Sequence, residues 1–219
     1  VTETSEPGVN LPLSKREVKA LQACATVCEN ATLDCFRARV ASARIWWYTG
    51  FEEDGVPVFT HDPPRGDLHI PSIDQVTSIV AEAVRTGKNL KLVVLNTCRS
   101  LELGRSLCET ARVPFVVCWD GFMEDRAAFT FGMALATAVQ ADQAPRDAFR
   151  SACSKVESMS IKKRPGVAFK LQKVVDPVAG RVVHERESIV PVGLPMLLPP
   201  PPAVATEPAP SPPSTLLEF

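Results

Sequence analysis

The sequence predicts an α/β fold in three layers, α/β/α, built on a mostly parallel sheet with a terminal hairpin. Three observations carry that expectation. Helical and extended segments alternate along the middle of the chain. Residues 90–96 and 114–119 are almost continuously apolar, as strands buried on both faces are. The segments between them place apolar residues at helical spacing, as helices covering such a sheet must.

Taken in order, residues 1–13 carry Pro7, Gly8 and Pro12 without periodicity and read as an extended lead-in. Ser14-Lys15-Arg16-Glu17 is a capping-box pattern, followed at helical spacing by Val18, Leu21, Cys24, Ala25 and Cys28. A second helix opens at Thr32 and runs to about Ala43, with Leu33, Phe36 and Val40 inward. Ile45, Trp46, Trp47 and Tyr48 are β-branched or aromatic and form a strand that Gly50 ends. Residues 51–71 are rich in glycine and proline and read as a loop with one short hairpin between 56–59 and 68–70.

Ser72 with Gln75 is another capping box, opening a helix through Val76, Ile79, Val80 and Val84 that Gly87 stops. The strand at 90–96, a helix at 101–111, the strand at 114–119 and an alanine-rich helix at 124–139 follow. Pro145 starts a further helix through Phe149, Cys153 and Val156. Residues 167–175 and 181–190 read as two strands joined by a turn at 176–180. The packed domain is therefore expected over 14–190. From 191 to 219 prolines dominate, and polyproline II or disorder is expected there. Such a tail serves as a spacer or as a ligand for SH3- or WW-like domains.

Composition excludes several classes. The 219 residues are 45% apolar and 22% charged, with a formal net charge of −1. That suits one domain with tails. No basic stripe points to nucleic acid, and no apolar run is long enough for a membrane span. The triplet Lys162-Lys163-Arg164 reads as a solvated loop. The seven cysteines are odd in number and lie mostly in apolar segments, the usage of reduced thiols, so an intracellular setting is expected. Cys24, Cys28 and Cys35 lack the short Cys-x₂-Cys pairs of zinc sites, so neither a metal nor another cofactor is expected. The chain starts at Val1, and we expect it to belong to a larger polypeptide or assembly.

In such sheets function collects outside the C-terminal strand ends. Two ends stand out, Trp47-Tyr48-Thr49-Gly50-Phe51-Glu52 and Leu95-Asn96-Thr97-Cys98-Arg99-Ser100. Neighbouring strands lie roughly 5 Å apart, which would bring Cys98 to the turn at Gly50–Glu52. Val113-Pro114-Phe115-Val116-Val117-Cys118-Trp119 and Glu124-Asp125-Arg126-Ala127-Ala128 follow.

In order and spacing over about residues 30–158, these blocks resemble the CHAT family of caspase-like cysteine peptidases. There a strand ends in a His-Phe-Ser-Gly-His-Gly-like motif and the next in a Leu-Asn-Ala-Cys-Glu-Ser-like motif. The resemblance implies a caspase-like domain with Cys98 at the nucleophile position. It also exposes departures. Phe51 stands at the catalytic histidine, Glu52 at the glycine whose N–H helps hold the oxyanion, Trp47 at the earlier histidine and Arg99 at the acidic residue after the cysteine.

A free thiol with a pKa of about 8.5 is only about 3% thiolate at neutral pH. Losing its general base costs on the order of 10²- to 10⁴-fold. Phe51 would raise the thiol further, and a carboxylate at Glu52 would repel a developing oxyanion. The implied function is a catalytically inactive pseudopeptidase that offers its old cleft, with Trp47, Gly50, Glu52, Thr97 and Arg99 around Cys98 and Phe51, to a protein partner. One alternative is an active cysteine endopeptidase using Cys98 with His61 or His69 as base; His184 is distant in sequence. Another is a structural subunit with a silent cleft and Cys98 as a buried small hydrophobe. Trp46, Trp47, Tyr48 and Phe51 either form an aromatic binding surface or pack under helices, with Trp46 and Tyr48 on one side of the strand and Trp47 on the other.

Overall fold

The computed structural model describes residues 12–22, 25–29, 31–60, 68–87, 89–158, 168–175, 182–190 and 193–198. The expected alternation is present. Helices α1 (Pro12–Leu21) and α2 (Leu33–Val40) precede strand β1 (Ile45–Thr49). Four two-residue strands follow: β2 (Glu52–Glu53), β3 (Val56–Pro57), β4 (Phe59–Thr60) and β5 (Leu68–His69). Then come α3 (Ile73–Gly87), β6 (Leu92–Asn96), α4 (Leu101–Glu109), β7 (Phe115–Trp119), α5 (Asp125–Gln140) and α6 (Pro145–Glu157). Strands β8 (Ala168–Val175), β9 (Val182–Val190) and β10 (Pro195–Leu198) complete the described chain.

The central sheet has the order β1-β6-β7-β10, with β1, β6 and β7 parallel and β10 antiparallel to β7. Every residue of β6 is buried, which is what its unbroken apolar run requires of a central strand. On one face Tyr48, Val93, Leu95, Val116 and Cys118 pack with Phe36, Val76, Val80, Leu103 and Leu107 of α2, α3 and α4. On the other, Val94, Val117 and Trp119 pack with Phe131 and Leu135 of α5 and Ala148, Ala152 and Val156 of α6. Trp46 and Tyr48 join the first cluster and Trp47 the second, the alternation a strand imposes. The fold is thus mixed α/β with a mostly parallel sheet. Strands β8 and β9 pair antiparallel as their own hairpin.

Local signals explain several boundaries. The Thr32 side chain accepts from the backbone N–H of Cys35 and starts α2, and Pro145 occupies the first turn of α6. At α3 the capping box is reciprocal: the Gln75 N–H donates to Ser72 Oγ over 3.1 Å, and the Ser72 N–H donates to Gln75 Oε1 over 2.9 Å. Ser72→Ala is expected to cost about 1 kcal/mol, read as a lower urea midpoint at unchanged slope. An unaltered midpoint would mean that tertiary packing alone holds α3.

Three expectations need correction. Helix α1 spans Pro12–Leu21: it starts within the expected extended lead-in, ahead of the Ser14–Glu17 box, and does not continue to Cys28. The segment after β1 forms two short ladders, β2–β3 and β4–β5, where one hairpin was expected. The Asp54-Gly55 pair, at φ +49° and +79°, makes the two-residue turn that matches strand twist, so β2 turns back into β3 at once. The proline-rich composition after 190 does not prevent a strand at Pro195–Leu198, and the packed unit extends to there. Proline is tolerated at the first position of an edge strand, and Met196, Leu197 and Leu198 supply the rest of the pairing to β7. Residues 199–219 lie outside the described residues, as do the 176–180 turn and the 162–164 basic triplet.

Candidate functional site

The two strand tips singled out in the sequence are direct neighbours. β1 and β6 run parallel in register, with Thr49 opposite Asn96. Beyond the tips, hydrogen bonds fasten the turns together. Thr97 Oγ1 donates to the Gly50 carbonyl over 2.9 Å. The Arg99 N–H donates to the Gly121 carbonyl over 2.8 Å, tying in the tip of β7. Ser100 Oγ donates to the Thr97 carbonyl and accepts from the Trp119 N–H over 3.1 Å. Arg99 holds φ at +47°, a left-handed conformation that its surroundings must stabilise.

These turns enclose a cavity of about 170 Å³ whose walls include Gly50, Phe51, Glu52, Thr97, Cys98, Met123 and Phe129. Cys98 is partly exposed into it, and its Sγ accepts the Met123 N–H over 3.4 Å. Burial pushes the Cys98 thiol up. The Met123 N–H offsets part of that rise, Glu52 adds to it, and Arg99 opposes it. Glu52 is itself occupied: Arg99 grips its Oε1 through Nε at 3.1 Å and Nη2 at 2.9 Å, while the Gly55 N–H donates to Oε2. The Arg99 guanidinium also lies 4.9 Å from the ring centroid of the exposed Phe122.

The expected constellation is therefore largely assembled. Cys98, Phe51, Gly50, Glu52 and Thr97 share one cavity, with Arg99 at its rim through Glu52. Trp47 is the exception. It lines a different groove, and its indole N–H is turned under the sheet tip to Glu17. The strand's alternation dictates this, since Trp47 faces α5 and α6. His69 pairs with Phe59 across the β4–β5 ladder and does not line the cavity. His61 and Cys24 lie outside the described residues. Among the described residues, no group of three or more His, Cys, Asp and Glu side chains is arranged to hold a metal ion.

The residue that sequence reasoning missed is Glu17. Its side chain is buried at the floor of the same cavity, with Asp125 beside it. Trp47 Nε1 donates to Oε1 over 3.0 Å, and Thr49 Oγ1 to Oε2 over 3.2 Å. Asn96 Nδ2 reaches both oxygens at 3.1 Å and the Ala128 carbonyl at 3.2 Å. The Asn96 amide is oriented by its other end, where Oδ1 accepts Trp119 Nε1 over 3.0 Å. Burial raises the Glu17 carboxyl from the ordinary 4.5 to about 7, with the three donors pulling the other way. Gly132 on α5 leaves the room: a Cβ there would collide with Glu17 and Asn96.

Chemically, the cavity holds a thiol with a raised pKa and three carboxyl groups, and among the described residues no Lys, Arg or His lines it. Compared with known proteins, the chain matches no family model and no curated relative. No helix among the described residues is long and apolar enough to cross a membrane.

Proposed function

We propose that this chain is a CHAT-type, caspase-like pseudopeptidase: a non-catalytic module that uses a degenerate peptidase cleft to hold a protein partner. One observation carries the reading. Among the described residues, Phe51 and no imidazole shares the cavity with Cys98, in a setting that raises the thiol pKa instead of lowering it. Exposed apolar side chains at the β7 and β10 tips, Phe122 beside Arg99 among them, support a contact role. Phe122, Leu194 and Met196 are exposed, and the Phe122 and Leu194 segments are joined through Gly193 and Asp120. Aromatic and aliphatic anchors beside a paired arginine are what protein interfaces use at their centres.

The test is chemical. A peptidyl electrophile is expected to label Cys98 no faster in the folded protein than in urea-denatured protein, counted by peptide mass spectrometry. Rapid labelling of the folded chain, abolished by Cys98→Ala, would establish an active cysteine enzyme instead. Phe51→Asp should weaken capture of a partner while leaving the unfolding midpoint near that of the parent. Undiminished capture would mean that the cleft is silent.

A further inference from the structure

We propose that Cys28 and Cys35 form a reversible disulfide, an oxidation site separate from the Cys98 cavity whose substrate is a small-molecule disulfide of the glutathione class. The two sulfurs lie 3.0 Å apart, although one belongs to the loop before α2 and the other to the first turn of that helix. A disulfide bond is about 2.05 Å long, so closing it requires the sulfurs to approach by roughly 1 Å. Both side chains are partly exposed. Cys28 and Arg39 also line a groove of about 550 Å³ that runs beside β1, while Cys35 lies outside that lining and is reached from solvent.

The surroundings divide the labour between the two thiols. Cys35 sits at the start of α2, where Thr32 receives its N–H. Arg39 lies one turn further on the same face. The Cys28 S–H and the Arg39 guanidinium both stabilise a Cys35 thiolate, and the Cys35 thiol is lowered, the first of these being the larger effect. Burial and the neighbouring Cys35 push the Cys28 thiol up. Burial also drives Cys108, Cys118 and Cys153 up to about 11, 12 and 11. Its place in the first turn of α2, with Arg39 one turn on, makes Cys35 the attacking sulfur and Cys28 the resolving one.

The reaction balances as thiol–disulfide exchange. The Cys35 thiolate attacks one sulfur of the external disulfide, forming a mixed disulfide and expelling one thiolate. Cys28 gives its proton to solvent and attacks the Cys35 sulfur, forming the Cys28–Cys35 bond and expelling the second thiolate. The protein loses two electrons and the external disulfide gains them. A reducing dithiol reverses both steps. The product ties the loop at the groove mouth to α2.

The full chain should be equilibrated in glutathione redox buffers, acid-quenched, alkylated with N-ethylmaleimide and mapped by mass spectrometry. The expected result is a linked Cys28–Cys35 peptide pair that dithiothreitol releases. Cys28→Ser should trap glutathione on Cys35. Arg39→Gln should slow Cys35 modification by about threefold for each unit its pKa rises, because thiolate fraction falls faster than nucleophilicity grows. Full alkylation of both cysteines under oxidising buffer, or a link from either to Cys24 instead, would overturn the proposal. So would a Cys28→Ser protein that gains no glutathione at Cys35.

Discussion

Glu17→Ala is expected to lower stability by about 3–5 kcal/mol at pH 6, and the melting temperature by roughly 10 °C. The substitution removes the acceptor for Trp47 Nε1, for Thr49 Oγ1 and for one proton of Asn96 Nδ2. Trp47 has a single donor and no alternative acceptor role, so its N–H is left facing a hole. Asn96 keeps the Ala128 carbonyl and its bond from Trp119, which limits the loss. The vacated space beside Gly132 adds a cavity cost. Glu17→Gln retains an acceptor for Trp47 and offers Thr49 Oγ1 an N–H in place of the acceptor it loses, and it should lose only about 1 kcal/mol. The comparison is read from urea unfolding of the three proteins. If Ala and Gln cost the same, the carboxyl group is not what joins α1 to the strand tips.

That network also marks where the sequence stops being readable. The elements of the sheet were legible because their signals are local. The run around β6, the Ser72–Gln75 box and Pro145 each act within a few residues. The neighbouring tips of β1 and β6 follow from parallel connectivity, so Cys98 and Phe51 fall into one cavity as expected. Glu17 carries the local signature of a capping box, but donors 30 to 79 residues away claim it. No periodicity encodes that choice. It arises from three polar groups on the sheet, Trp47, Thr49 and Asn96, that need an acceptor once helices exclude water.

The same logic separates the two cysteine pairs of features. Cys98 could be placed by its strand. The approach of Cys28 to Cys35 depends on a loop path between α1 and α2, and loop paths have no sequence period. β10 was hidden for a further reason. Proline content argues against a central strand, yet the ladder to β7 needs only an edge strand four residues long. The Asp54-Gly55 turn was visible in the sequence but lay inside a proline-rich stretch that masked its strand partners.

Stability should rise, not fall, as pH drops from 8 to 5.5, and Glu17→Gln should flatten that slope. The carboxyl has its ordinary 4.5 when the chain is unfolded and about 7 when folded. Between those values the folded state binds the extra proton, so ν for the native state exceeds ν for the unfolded state and stability falls as pH increases. Its contribution is complete below pH 4.5 and is lost as pH passes through about 7. The difference amounts to about 3 kcal/mol across the window. Asp125, raised by burial and by Glu124, acts in the same direction. Subtracting the Glu17→Gln curve from that of the parent cancels the other titrating groups. Urea unfolding at half-unit intervals should show the parent gaining on the variant as the solution is acidified. Two parallel curves would mean that Glu17 titrates in the folded protein as it does in water, and that its donors fully offset the burial of its charge.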